Sequence, residues 1–205
     1  MRLAAVLLLA VSLAGCFRLS VPETHYQRRV FVNALRADPD LAHAHWMLGR
    51  RAMLDGEYRE AIGHFRRAVA AQPDFREAHV ALGRCWLNLG KPDRALGPLE
   101  AALTLSPGSA RALELHGQAL MELGRLNEAR QSFERALAAD PAAFLPRAKL
   151  GEMAYAAGDF ATAIEHWRLA TGTDQTDPAW NAAQDDLRSL LRDVERYHAL
   201  YPDPR

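Results

Sequence analysis

Two cysteines, Cys16 and Cys85, and eight histidines are the side chains of this chain best suited to nucleophilic attack or metal ligation. Their spacing argues against both roles. His43 and His45 stand two residues apart, which puts them on different faces of a helix. No cysteine or carboxylate completes a ligand set around His45 or His79 at the spacing zinc sites use, so no metal is expected. Cys85, between Arg84 and Trp86, reads as a small apolar packing residue. No nucleophile elbow, phosphate loop, dinucleotide fingerprint or H-E-x-x-H occurs, and neither catalysis nor a cofactor is expected. Lys plus Arg total 25 and Asp plus Glu total 25, and this balance, with no aromatic-basic stripe, excludes a nucleic-acid reader.

Cys16 has a different setting. Arg2 precedes an apolar run from Leu3 to Gly15 that is too short to span a membrane, a pattern that fits a secretory leader. The run ends at Leu13-Ala14-Gly15-Cys16, which resembles the bacterial lipobox. That resemblance implies cleavage before Cys16 and acylation of its sulfur and its new amino group. Phe17 stands where Asp would imply retention in the inner membrane, which implies an outer-membrane anchor facing the periplasm in an organism that has one. With Cys16 under lipid, Cys85 is the one free thiol left, and no disulfide can form within the chain.

The elements that position everything else repeat. Gly49, Gly83, Gly117 and Gly151 are each 34 residues apart, and Gly56, Gly90, Gly124 and Gly158 follow them by seven. Behind these come Ala61, Ala95, Ala129 and Ala163, then Phe65, Leu99, Phe133 and Trp167, then Ala68, Ala102, Ala136 and Ala170. Each unit reads as two antiparallel helices. The first glycine admits a close neighbour, the second ends the first helix, and two alanines bracket a bulky core residue on the second helix. Pro39, Pro73, Pro107 and Pro141 stop the second helices. One pair cannot bury its apolar face alone, so the copies stack.

This pattern resembles the tetratricopeptide repeat family over roughly residues 24 to 175. The fold it implies is all-α, a right-handed α-solenoid. Some columns depart from the family: His45, His79, Leu113 and Arg147 stand where tryptophan is favoured, and His116 where leucine is. Arg130 sits in the column of Ile62, Leu96 and Ile164, and Gln175 replaces the last proline, with Pro178 three residues late.

The organisation expected is a leader at 1–15, a tether at 16–19 and a half-repeat helix at 20–41. Full repeats follow at 42–75, 76–109, 110–143 and 144–177, then a capping helix and tail at 178–205. Ser20-Val21-Pro22-Glu23 fits a capping box, which leaves a tether of at most roughly 14 Å. Trp180, Ala183, Leu187, Leu190, Leu191, Val194 and Tyr201 mark one face of the capping helix. Its polar face is mixed in charge, which favours a cap on the last repeat over a membrane-surface helix.

In this family ligands lie along the first helices. Carried over by column, the implied groove contains His43, Glu77, Arg111 and Leu145; Trp46, Val80, Glu114 and Ala148; Arg50, Arg84, Gln118 and Glu152; and Met53, Leu87, Met121 and Tyr155. The Lys and Asn pairs with which some members clamp a peptide's terminal carboxylate are absent. Trp46 is the expected apolar anchor for a protein or peptide partner, with Arg50 and Arg84 toward its acidic part. The expected function is protein binding by a lipid-anchored periplasmic adaptor or assembly factor for an envelope complex, such as a pilus secretin or outer-membrane assembly. A scaffold that recruits cell-wall enzymes, and an enzyme accessory or a sugar-binding solenoid in polysaccharide export, are the alternatives.

Overall fold

The computed structural model describes residues 23–38, 40–171 and 189–196, with side chains from residue 29 onward. Among the described residues nine helices follow one another: α1 Glu23–Ala37, α2 Ala42–Leu54, α3 Tyr58–Ala71, α4 Arg76–Asn88, α5 Pro92–Leu105, α6 Ala110–Glu122, α7 Leu126–Ala139, α8 Phe144–Ala156 and α9 Phe160–Thr171. Residues 189–196 are also helical. Among the described residues there is no strand, and no helix is long and apolar enough to cross a membrane. Each helix packs on the next in the chain, α2 on α3, α4 on α5, α6 on α7 and α8 on α9 most extensively. In addition α2 touches α4, α4 touches α6 and α6 touches α8, whereas successive second helices do not meet. The first helices therefore line one face, and the second helices splay along the other. The chain is the helix-pair solenoid that the repeat implies.

The repeated columns each have a steric reason. Phe65, Leu99, Phe133 and Trp167 are no more than 1% exposed, and the alanines that bracket them are fully buried. Burying such a side chain stabilises by about 1.5–3 kcal/mol. Each lies against the glycine of its own first helix, where a Cβ would come within 3 Å of the ring or branch. The turn glycines have φ between 63° and 80°. At the first of them the Glu57 N–H donates to the Ala52 carbonyl at 2.8 Å and the Gly56 N–H to that of Met53 at 3.2 Å. This is a Schellman closure, and the other three turns repeat it. Pro98 sits inside α5, a feature the repeat pattern does not contain.

The last described helical turns carry Leu191 and Val194, which are buried with Ala154, Ala163 and Trp167, while Arg168 pairs with Glu195 at 2.7 Å. The lipobox with Cys16, the capping box at Ser20, Pro39, Gln175, Pro178, Trp180, Ala183, Leu187 and Tyr201 lie outside the described residues.

The departing columns find their own partners. Leu113 is buried at 1% exposure, whereas the His79 Nε2–H donates to the Pro73 carbonyl at 2.9 Å, and Arg147 donates likewise to that of Pro141. Arg130 is exposed. Cys85 is fully buried, and burial pushes its thiol up to about 11, which keeps it protonated and unreactive.

His116 is held between two repeats. The Ser132 hydroxyl donates to the Glu128 carbonyl at 3.0 Å, so it accepts from the His116 Nδ1–H at 3.0 Å. The His116 Nε2 atom then faces Glu100 at 4.0 Å. Burial lowers the His116 pKa more than Glu100 raises it. A depressed folded-state pKa means the unfolded chain binds this proton more readily. The stability His116 contributes is therefore complete above about pH 6.5 and is lost as pH falls through the folded value. His116→Leu restores the family residue and leaves Ser132 bonded to Glu128. It is expected to stabilise the chain by about 1 kcal/mol at pH 7.5. Urea midpoints at pH 7.5 and pH 5.5 check this: the gap between them should narrow in the variant.

Candidate binding groove

The face formed by α2, α4, α6 and α8 carries the columns read from the sequence. From α2, His43 and Arg50 are exposed, and Trp46 and Met53 are half-buried. From α4, Glu77 and Arg84 are exposed and Val80 is half-buried. From α6, Arg111 is exposed, and Glu114, Gln118 and Met121 are half-buried. From α8, Leu145, Glu152 and Tyr155 are exposed. Two positions sit deeper. Leu87 is buried with Ala95 and Leu99, and Ala148 with Phe144 and Ala170, so both support the groove from beneath.

Trp46 forms an aromatic corner. Its ring lies 5.6 Å from that of Phe75, centroid to centroid, and 5.4 Å from that of His43. The Arg50 guanidinium stands 4.8 Å over the same indole. Phe75 is the residue from which α4 starts, so the corner bridges the first and second repeats. The column pattern omits Phe75 because it stands in a loop, although an aromatic just after Pro73 was the available signal.

The groove charges are mostly neutralised locally. Arg76 donates to Glu77 at 2.5 Å, and this hydrogen bond holds the Glu77 carboxyl below its ordinary value. Lys149 reaches Glu152 at 2.8 Å, and Gln118 donates to Glu122 at 3.0 Å. Glu114 pairs with Arg111, its side chain only 15% exposed. Burial raises the Glu114 pKa against the pull of Arg111 and then Arg84. Beside this pair an open cleft of ≈ 480 Å³ is lined by Arg76, Glu77, Val80, Ser109 and Arg111 among others.

The histidines near the groove have other partners. The Nδ1 atoms of His45 and His64 lie 3.2 Å apart, one ring donating to the other, with His45 only 2% exposed. His43 faces the groove instead. No group of three ligating side chains suited to a metal occurs among the described residues.

A family model described as tetratricopeptide repeat matches residues 47–110 and 114–178. Among solved structures, MamA (residues 41 to end) from Desulfovibrio magneticus RS-1 is 24% identical, with a TM-score of 0.67 over 72% of this chain and 83% of that one. YrrB, described as a TPR protein with an unusual peptide-binding site, is 24% identical, with a TM-score of 0.65 over 82% of this chain and 86% of that one. The first TPR of Spaghetti (RPAP3), bound to the HSP90 peptide SRMEEVD, is 24% identical, with a TM-score of 0.56 over 57% of this chain and 93% of that one. No curated protein matches the chain significantly in sequence.

Proposed function

Because the chain belongs to the tetratricopeptide repeat family, we propose that it is a protein-binding scaffold, tethered to a membrane by lipid on Cys16, that acts as an adaptor or assembly factor for a cell-envelope complex. The observation that carries the scaffold reading is the continuous face of four first helices, with a half-buried aromatic corner on it. Exposed aromatic and guanidinium groups of this kind dominate the energetics of protein contacts. A solved TPR structure with a peptide, and another described by its peptide-binding site, support a protein segment as the ligand class. A sugar platform finds less support. Trp46 and Tyr155 stand three repeats apart, and Tyr155 already meets Phe160 edge-on and Trp167 at a tilt.

The anchor rests on Leu13-Ala14-Gly15-Cys16 at the end of the apolar run, and the outer-membrane address on Phe17 in place of Asp. Facing the periplasm on so short a tether, the scaffold would meet partners at the membrane or within it. Growth with a fatty-acid analogue tests the anchor. The wild type is expected to take the label, and Cys16→Ala to remain unlabelled with its leader uncut or cut elsewhere. Equal labelling of the two would overturn the lipid attachment while leaving the scaffold reading in place.

A further inference from the structure

We infer that the solenoid stands on a phospholipid surface by one edge, the row of glycine turns, with the turn leucines Leu54, Leu123 and Leu126 entering the headgroup boundary. The inference rests on the lipid anchor proposed at Cys16 and names the side of the scaffold that the anchor holds down.

Chain direction and tether length carry it. Packed helices joined by short connections run antiparallel, so α1, α3, α5 and α7 all run the same way. They begin at one edge, that of the turns at Gly56, Gly90 and Gly124. Glu23 opens α1 at that edge. Cys16 stands seven residues before Glu23, a span of at most about 25 Å when fully extended. Helix α1 has 15 residues and is about 22 Å long, so the same anchor would reach the opposite edge with almost no slack. The turn edge is the one that such an anchor brings to the bilayer.

The side chains of the two edges differ. On the turn edge Leu54 ends α2 and is 74% exposed, Leu126 starts α7 at 52%, and Leu123 caps α6 at 39%. Leu54 stands two repeats from the other two, so they form no continuous patch for a protein, whereas a fluid bilayer takes each separately. Asp55 is bound to Arg51, Glu122 accepts from Gln118, and Glu128 pairs with Arg125. Arg59, Lys91 and Arg94 then face Glu57 and Asp93, none of the five in an ion pair among the described residues. The Arg94 guanidinium rests 5.2 Å from the Trp86 ring, restrained beside the second turn, where a headgroup phosphate can take its N–H donors. The opposite edge also exposes Leu105 and Leu145, but among Asp38, Asp40, Asp74 and Asp140, all exposed. An anionic leaflet repels that edge.

Depth probes on the full chain test this. The chain is made with its leader and reconstituted into vesicles of three parts phosphatidylethanolamine to one part phosphatidylglycerol. It carries the fluorophore NBD on one introduced thiol: Leu123→Cys on the turn edge, Asp74→Cys on the opposite edge, or Gln131→Cys on the outer face of α7. Cys85 is buried and takes no label. Lipids with a nitroxide near the headgroup are expected to quench the Leu123→Cys probe about threefold more than the other two, since interfacial side chains sit about 5–10 Å into the boundary. Adding Leu54→Glu and Leu126→Glu should abolish that difference while the acyl chains keep the protein on the vesicles. All these positions are exposed, so the variants keep the fold, which circular dichroism verifies. Equal quenching at the three sites, or stronger quenching at Asp74→Cys or Gln131→Cys, would overturn the edge and leave the anchor standing. A wild type that takes NBD at Cys16 and washes off the vesicles would remove both.

Discussion

Gly151→Ala is expected to destabilise the chain by about 2 kcal/mol, while Gly63→Ala is expected to stabilise it by up to about 1 kcal/mol. Both glycines lie within helices, α8 and α3, so the backbone term is the same: alanine is about 1 kcal/mol better than glycine in a helix interior. Their surroundings differ. At Gly63 a Cβ meets nothing within 4 Å. At Gly151 it would stand 2.3 Å from Trp167 Nε1 and 2.5 Å from Cδ1. The indole has no room to retreat, because it is fully buried and its Nε1–H donates to the Ala148 carbonyl at 3.3 Å. Overpacking of this kind costs about 3 kcal/mol, which the helical gain offsets only in part. Stacked repeats need not unfold together, so the loss should appear first in the fourth repeat and the turns that cover it. Urea unfolding followed by helical circular dichroism and by tryptophan fluorescence checks both variants. A Gly151→Ala midpoint equal to the wild type would mean that α8 and α9 are not held in close contact.

The same contrast shows why so much of the fold was legible in the sequence. A column such as Gly49, Gly83, Gly117 and Gly151 has one steric cause, and four copies at a period of 34 leave no freedom in assigning it. The turn glycines and the bracketing alanines are equally direct, since φ and contact distance each demand a residue type. What escaped depends on how far side chains reach. The His45–His64 bond spans 19 residues between helices of one pair and follows no repeated column. Phe75 joins Trp46 from a loop that the repeat treats as a stop signal. Leu87 shares a column with the exposed Tyr155, yet α5 covers it because Leu99 and Ala95 lie beneath. Local charge pairing was illegible for the same reason. Arg84 and Arg111 read alike as groove arginines, and only rotamers show that Arg111 turns toward Glu114.

Trp46→Ala is expected to weaken capture of a groove-binding segment about thirtyfold or more, equivalent to about 2 kcal/mol, and to exceed the effect of removing either arginine alone. The indole is half-buried, so a ligand can cover the rest of it, and it is preset by Phe75 on one side and Arg50 above. Its loss removes the apolar contact and also the surface that holds the Arg50 guanidinium. Arg84→Ala removes only an exposed charge, whose contribution lies mainly in association rate and fades with salt. Trp46→Phe should recover part of the affinity because it keeps a ring against Phe75. Some loss of stability accompanies Trp46→Ala, since the side chain also packs on the first core cluster. Trp86→Phe separates the two effects. Trp86, on α4, sits between Arg66 of α3 and Arg94 of α5, away from the groove, and packs against the first two core clusters. It should lower the melting temperature without lowering affinity. Isothermal titration of a peptide selected for binding to the full chain into all four variants measures the split. If Trp86→Phe and Trp46→Ala reduce affinity in proportion to their loss of stability, Trp46 serves the core, and the partner must bind the convex face or the C-terminal helical turns.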